Sequence, residues 1–280
     1  MPEIPTKNLL GVLKTVGPGI VFALTAIGPG DLVSNAVTGA THGYLLLWAL
    51  ALSLLFRFVW LDASARYVMA TGESLLEGYS RFGNWLAWLL LGALTIVRLL
   101  SNLYMIVLLA DTVRMVVPAT WLPHRLVLGA IAALAAFLIC DRGGYRALEK
   151  SFKFLIAAMG AGLFIAVLLS KPDAAAMARG LLIPSLPADR GLYATAFILM
   201  ALVGTEAGSL TNITYSYFLR QKGWCDPTYQ SSQRKDLLFT VASMFAISAA
   251  TQIAAAGTLL PSGVSPRNAA DLVTMFTQAL

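Results

Sequence analysis

One carboxylate stands beside a helix-breaking run, Gly28-Pro29-Gly30-Asp31, inside an otherwise apolar segment. Proline lacks a backbone N–H and glycine lowers helix propensity, so a helix that begins near Val12 should end at Gly28 and restart near Asp31. Broken backbone at membrane depth is tolerated only where it is buried in protein or lines a wet cavity. Carboxylate and carbonyl oxygens are ligands of hard cations. The pattern therefore predicts a cation site at Asp31 and Gly28.

A second interrupted segment, residues 202–212, combines glycines, hydroxyls and an acid in the middle of another apolar run. Its candidate cation ligands are Thr205, Glu206, Ser209 and Asn212. Each candidate has a structural alternative. Asp31 could act only as the N-cap of the second half-helix, and Glu206 could be held by Arg98 or by backbone donors. Thr205, Ser209 and Asn212 could satisfy backbone groups that the break leaves unpaired.

The composition is that of a polytopic all-α membrane protein. The chain is 58% hydrophobic and only 12% charged, against about 25% charged in ordinary soluble domains. Seven spans are predicted: 12–38 (interrupted), 44–68, 86–116, 124–140, 152–170, 191–219 (interrupted) and 236–259. The charged stretch between the fourth and fifth spans is predicted to be a solvated loop.

Loop charges predict a cytoplasmic N-terminus, because the loops that would then be inside hold more Lys and Arg than the others. The net charge of +6 is then explained by contact with anionic lipid headgroups, without nucleic acid. The N-terminus lacks the features of a cleaved signal peptide. We expect a multi-pass protein of a bacterial inner membrane, a monomer whose partners are the lipid bilayer and its transported ion.

The two interrupted spans are the first and the sixth, five spans apart. Such a matched pair indicates an inverted-repeat transporter with its substrate site between the breaks. We therefore predict a single transmembrane domain over 1–280, with a first five-helix repeat over 1–170 and the start of a second, inverted repeat over 188–280. A complete second repeat would need spans 6–10, so we expect the last helices to be missing from this sequence.

Two sequence blocks carry a resemblance to a known family. Residues 17–48, GPGIVFALTAIGPGDLVSNAVTGATHGYLLLW, resemble the first helix of the Nramp divalent metal transporters, in which Asp-Pro-Gly-Asn follows a Gly-Pro-Gly. Residues 202–224, LVGTEAGSLTNITYSYFLRQKGW, are similar in position to the family's sixth helix, which carries Ala-Thr-Val-Met-Pro-His. The resemblance implies a LeuT-like fold and transport of a divalent metal ion between discontinuous helices 1 and 6.

The departures from the family pattern concern the ligands. Gly28 stands where the family has its metal-binding Asp, and Asp31 stands where it has Asn. Gly208 replaces the metal-binding Met and Leu210 replaces the His, which makes Gly208 a sixth-helix position of the predicted site. Without thioether and imidazole, the site should favour hard ions. A wide oxygen-lined site suits partly hydrated Mg²⁺, and the resemblance includes a magnesium-transporting branch, so we predict Mg²⁺ first and Mn²⁺ next.

The third span bears on energy coupling. The resemblance places Asn102 and Met105 where proton-coupled members have an Asp and a Glu. We therefore predict alternating access without proton coupling. The alternatives are a proton-coupled Mn²⁺/Fe²⁺ symporter and a transporter of organic amines or amino acids with the same fold. No HExxH, GxSxG or Walker A motif occurs in the sequence, so an enzyme is not predicted, and neither is a cofactor other than the transported cation.

Overall fold

The computed structural model describes residues 18–116, 124–189, 194–264 and 266, and these ranges are helical almost throughout, with no β-strand among them. The α-helices are α1 Pro18–Ala26, α2 Pro29–His42, α3 Leu47–Thr71, α4 Leu75–Ser80, α5 Asn84–Val116, α6 Arg125–Leu169, α7 Ala174–Leu182, α8 Thr195–Glu206, α9 Tyr215–Lys222 and α10 Gln230–Ser262. Short 3₁₀ turns occupy Leu210–Thr214 and Pro227–Tyr229.

Both predicted interruptions are present. Helix α1 ends at Ala26, and α2 starts after two intervening residues at Pro29, a first-turn position at which the missing N–H of proline is not needed. Helix α8 ends at Glu206, and α9 starts only at Tyr215, after a 3₁₀ turn. The two broken helices are the matched pair on which the predicted repeat boundaries, 1–170 and 188–280, depend; those boundaries stay a prediction.

Helix α10 forms the centre of the bundle and packs against α1, α2, α3 and α6. Close packing against α2 depends on Gly39, because a Cβ at this position would overlap the backbone carbonyl oxygen of Gln252. Close packing against α1 depends in the same way on Gly19, whose missing side chain leaves room for Thr240. The Gly19 N–H also donates to Asp236 Oδ2 on α10 at 2.8 Å. Small residues thus let the broken helix lie directly on α10.

The halves of the two broken helices also contact each other. Phe22 of α1 packs edge-on against Tyr215 at the start of α9, with ring centroids 5.4 Å apart. Both side chains are fully buried. This aromatic contact fixes α1 beside α9, while α2 packs against α8. The two breaks therefore lie next to each other in the folded chain.

Ion pairs connect the helix ends. Asp62 in the second half of α3 pairs with Arg66 on the same helix and with Arg234 Nε at 3.1 Å on α10. Glu77 on α4 accepts from Arg220 Nη1 on α9 at 2.7 Å. The backbone N–H of Ser74, and then the Ser74 hydroxyl and Arg220, hold the pKa of Glu77 below its ordinary value.

Four helical segments of the described chain are long and apolar enough to cross a bilayer: Leu47–Thr71, Asn84–Val107, Thr195–Lys222 and Pro227–Ser262. The number rises to five if Ala157–Leu169 and Ala174–Leu182, which meet at 118°, form one bent span. These segments overlap the predicted second, third, sixth and seventh spans.

The predicted loop between the fourth and fifth spans is wrong. The backbone is helical without interruption over Arg125–Leu169, a helix of 45 residues. Gly143, Gly144 and the surrounding charges suggested a loop, but no proline occurs in the segment, and glycine costs only about 1 kcal/mol each in a helix. At 1.5 Å per residue the helix is about 67 Å long, so it extends well beyond a hydrocarbon core of roughly 30 Å if it crosses one.

Candidate functional site

At the first break, a backbone N–H that the interruption leaves without a helical partner is capped by the nearby side chain of Asp31. Gly28 is extended (φ −112°, ψ 174°), and its N–H donates to Asp31 Oδ2 at 2.6 Å. Asp31 is only 5% exposed, and its other carboxylate oxygen, Oδ1, has no hydrogen-bond partner among the described residues. The N-cap role and the ligand role are therefore compatible, because one oxygen closes the break and the other is unused.

Arg98 of α5 contacts the same break. Its Nη1 donates to the carbonyl oxygen of Thr25 at 3.0 Å. In a continuous helix this carbonyl would accept from the N–H of residue 29, which is a proline. The suggested pairing of Arg98 with Glu206 is thus wrong: Arg98 is half-buried at the first break and substitutes for the donor that Pro29 lacks.

At the second break, side chains of the same segment pair some of the backbone groups that the interruption leaves without helical partners. Asn212 Nδ2 donates to the carbonyl oxygen of Ala207 at 3.1 Å, and Ser209 Oγ accepts from the backbone N–H of Thr211 at 3.2 Å. For Asn212 and Ser209, the structural alternative of satisfying backbone groups is therefore present in the structure. Neither contact uses all the oxygen lone pairs of these side chains.

The remaining partner at the second break comes from another helix. Arg57 of α3 donates from Nη2 to the carbonyl oxygen of Thr205 at 2.9 Å, and its Nη1 lies 3.9 Å from Glu206 Oε2. Glu206 Oε1 accepts from Asn35 Nδ2 at 2.8 Å and from Ser248 Oγ at 2.7 Å. Arg57 and Glu206 are both 0% exposed. Glu206 is thus paired with Arg57, not with Arg98.

A cavity of about 700 Å³ lies between the two breaks. Four of the predicted site residues line it, Gly28, Asp31, Thr205 and Ser209, whereas the other three, Glu206, Gly208 and Asn212, do not. Its wall also includes Thr25, Ser34, Arg98, Ser101, Tyr104, Met105 and Phe197. The hydroxyls of Ser34 and Thr205 lie 3.3 Å apart and connect α2 to α8 along this wall.

The polar groups of the cavity suit a hydrated cation. Asp31 supplies a buried carboxylate oxygen, and Ser34, Thr205 and Ser209 supply hydroxyls. In the described part of the chain, no group of three His, Cys, Asp or Glu residues could form a protein-only metal cage. A cation bound at Asp31 would therefore keep several water ligands, as Mg²⁺ usually does in proteins.

Sequence reasoning missed two features of the site. The first is the polar cluster around Arg57; an ionisable residue near the middle of the apolar helix α3 was the available signal. The second is Met105, which lines the cavity and whose Cε lies 3.7 Å from where a Cβ on Gly28 would stand. The site therefore lacks a thioether at Gly208, as predicted, but has one at Met105 on α5. No sequence signal linked Met105 to the first break.

Comparison with known families decides the classification. A family model described as natural resistance-associated macrophage protein-like, Nramp, matches residues 19–280. The chain belongs to the Nramp family. It is a multi-pass membrane protein, and the predicted resemblance is confirmed.

The curated Nramp relatives are named divalent metal cation transporters. The protein named MntH of Chromohalobacter salexigens is 31% identical over 188 residues, which cover 67% of this chain and 43% of the relative. The MntH of Yersinia pestis is 29% identical over 192 residues, 68% of this chain and 46% of the relative. The chain thus matches less than half the length of these relatives.

Solved structures confirm the fold. A mutant of the Eremococcus coleocola manganese transporter superposes with a TM-score of 0.77 at 18% identity, over 92% of this chain and 55% of that one. The same transporter in complex with an aromatic bis-isothiourea substituted compound gives a TM-score of 0.73, also at 18% identity, over 91% of this chain and 54% of that one. The predicted all-α, LeuT-like fold of the Nramp chain, with discontinuous helices 1 and 6, is confirmed.

Proposed function

We propose that this Nramp chain forms the cation pathway of a secondary transporter for divalent metal ions, which works by alternating access about the two broken helices. The observation that carries the proposal is Asp31 Oδ1, a buried carboxylate oxygen without a partner in the described chain, at the wall of the cavity between the breaks. An unsatisfied buried carboxylate oxygen is costly unless a cation or water completes it. The MntH relatives are named for divalent metal cations, which fits this site.

The proposed ions are Mg²⁺ and Mn²⁺. Oxygen donors from Asp31, Thr205 and Ser209 favour hard ions, and a cavity of about 700 Å³ has room for a partly hydrated one. Gly208 supplies no thioether, which supports Mg²⁺. Met105 lines the same cavity and supports acceptance of Mn²⁺ beside it.

Transport without proton coupling is the proposed energetics. Among the cavity-lining residues of the described chain, Asp31 is the one carboxylate. Asn102 and Met105 stand where the resemblance places the acids of proton-coupled members, and Leu210 stands in place of the His. A cation would then move down its own electrochemical gradient.

The test is uptake by the complete protein reconstituted in liposomes that contain a Mg²⁺- or Mn²⁺-sensitive dye and, in parallel, a pH-sensitive dye. We expect uptake of both ions, unchanged by a pH gradient and without acidification. Asp31→Ala should abolish uptake with little loss of folded protein, and Asp31→Asn should weaken uptake because the charge is lost while the shape is kept.

The matched control is Asp226→Asn. Asp226 also caps a turn, with Oδ1 accepting from the Thr228 N–H at 2.9 Å, but it is exposed and lies outside the cavity wall. Uptake by this variant should equal that of the wild type. Mn²⁺ uptake with protons moving alongside would replace the proposal with a proton-coupled symporter. Uptake of an organic amine without metal uptake would replace it with the amine-transporter alternative.

A further inference from the structure

Arg57 is a fully buried cation in the middle of a membrane-spanning helix. It is the eleventh of the 25 residues of α3 and is 0% exposed. Arginine stays charged at any accessible pH, so its burial at this depth requires compensation by nearby polar groups. Part of the compensation comes from two consecutive residues at the end of α8, the Thr205 carbonyl oxygen and the Glu206 carboxylate. The negative charge of Asp31 contributes as well.

The contact with Glu206 has a consequence for the cavity. Thr205 lines the cavity, but the next residue, Glu206, does not. Asn35 and Ser248 donate to Glu206 Oε1, while Oε2 has no hydrogen-bond partner among the described residues and lies 3.9 Å from Arg57 Nη1. Asn35 also donates to the backbone carbonyl of Asp31 at 2.8 Å, so the same amide connects the Glu206 cluster to the first break.

The charges of this cluster do not cancel. Asp31 and Glu206 contribute two negative charges and Arg57 one positive charge, so the cluster carries −1 when all three groups are ionised. Without Arg57 it would carry −2, and with Arg57 but without Glu206 it would carry 0. Cation affinity in oxygen-lined sites is set by the number of ligand charges and by the rigidity of the site.

We propose that Arg57 is a specificity-determining positioning residue, which keeps Glu206 out of the cavity and sets the net charge of the cluster, Asp31 included, at −1, so that a divalent cation binds by a single carboxylate and keeps its water ligands. The inference rests on the proposed function. It goes beyond it by assigning the affinity of the site to a residue that does not line the cavity.

The test is Mn²⁺ binding to the purified complete protein in detergent, measured by isothermal titration calorimetry. Glu206→Gln leaves Arg57 charged and unpaired and brings the cluster to 0, so Kd should rise about tenfold or more. The double variant Arg57→Gln/Glu206→Gln restores −1, and its Kd should return to within about threefold of the wild-type value. A purely structural pair would also recover binding once both partners are replaced, so the deciding variant is Arg57→Gln alone. It brings the cluster to −2 and should lower Kd, whereas a structural role would weaken binding in either single variant.

The matched control is Arg66→Gln, the same substitution on the same helix. The Arg66 side chain is 57% exposed and pairs with Asp62, away from the cavity. Its Kd should equal the wild-type value. Folding of every variant is checked by size-exclusion chromatography and thermal melting, so that Kd is compared only among folded proteins.

The outcomes separate this inference from the proposed function. If the wild type binds no Mn²⁺ and no Mg²⁺, the proposed function fails. If the wild type binds and Glu206→Gln leaves Kd unchanged, the assignment of Arg57 is overturned while the function stands. A double variant that binds no more tightly than Glu206→Gln overturns it as well.

Discussion

An arginine side chain caps the first half-helix at both breaks, but the surroundings of the two arginines differ. At each break, an arginine from a neighbouring helix donates to the carbonyl of the last residue but one of the first half-helix: Arg98 to Thr25 at 3.0 Å, and Arg57 to Thr205 at 2.9 Å. Such carbonyls lose their helical donors four residues on, and a guanidinium can replace them at the negative end of the helix dipole.

The difference lies in the counter-charge. Arg57 is fully buried and pairs with Glu206, whereas Arg98 is half-buried, lines the cavity and has no acidic partner within the described ranges. At the second break, the positive charge of Arg57 is thus offset by the carboxylate of Glu206 in the protein interior. The first break presents both Arg98 and Asp31 to the cavity, and it is the break whose charges a bound cation would affect most directly.

The strongest test of this difference compares the two arginines by truncation. Arg57→Ala leaves Glu206 buried without its cation and should destabilise the protein by about 3–5 kcal/mol. Arg98→Ala removes one hydrogen bond next to a cavity and should cost only about 1 kcal/mol. The measurement is thermal melting of the complete protein in detergent, followed by fluorescence-detected size exclusion. Equal losses of stability in the two variants would contradict the distinction between the breaks. At the second break the arginine has an acidic partner, and at the first break it has none within the described ranges.

A second test addresses the charge that Arg98 brings to the cavity. Arg98→Gln keeps a hydrogen-bond donor near the Thr25 carbonyl and removes a positive charge from the cavity wall. Less repulsion of the cation should lower the Kd for Mn²⁺ about tenfold, which corresponds to about 1.4 kcal/mol. Calorimetric titration measures this, with Arg66→Gln as the exposed control. An unchanged Kd for Arg98→Gln would show that Arg98 does not act on the site electrostatically.

A third test addresses the thioether beside the first break. Met105→Leu preserves the volume of the side chain and removes its sulfur, so the fold should be kept. Because sulfur ligands favour softer ions, Mn²⁺ uptake should fall about threefold relative to Mg²⁺ uptake. The control is Met159→Leu, a partly buried methionine of α6 outside the cavity wall. If both variants keep the wild-type Mn²⁺/Mg²⁺ ratio, Met105 does not select the ion.

The smallest effect is expected from the exposed ion pair between Glu77 of α4 and Arg220 of α9, the helix that follows the second break. Glu77→Gln weakens the contact of α4 with Arg220 and should cost less than about 1 kcal/mol, because the pair is solvent-exposed. Since the pKa of Glu77 is lowered in the folded protein, its contribution is present above its ordinary value of 4.5 and is lost as the pH falls through the folded pKa.

The melting midpoints of wild type and Glu77→Gln should therefore differ slightly at pH 7 and converge under acidic conditions. Differential scanning fluorimetry at a series of pH values between 7 and 3 measures this. A difference that stays constant with pH would mean that the carboxylate charge does not stabilise the contact of α4 with α9.

Several features of this Nramp chain followed from the sequence because their causes are local. Gly28 and Pro29 break the first helix whatever packs around them, since proline has no N–H and glycine has little helix propensity. Asp31 lies three residues after Gly28, which is the spacing for a carboxylate that closes the break. The apolar runs predicted the second, third, sixth and seventh spans, and the two blocks of residues predicted the family.

The other features required the folded chain, because contacts between residues far apart in sequence leave no local pattern. Arg57 and Glu206 are 149 positions apart by their numbers, and only the packing of α3 against α8 brings them together. Because of this packing, Glu206 lies in the protein interior and not on the cavity wall. The position of α5 places Arg98 at Thr25 and Met105 beside Gly28. The sequence by itself determined where the helices break and which carboxylate closes the first break. Only the tertiary structure decided which charges compensate each other and which of them line the cavity.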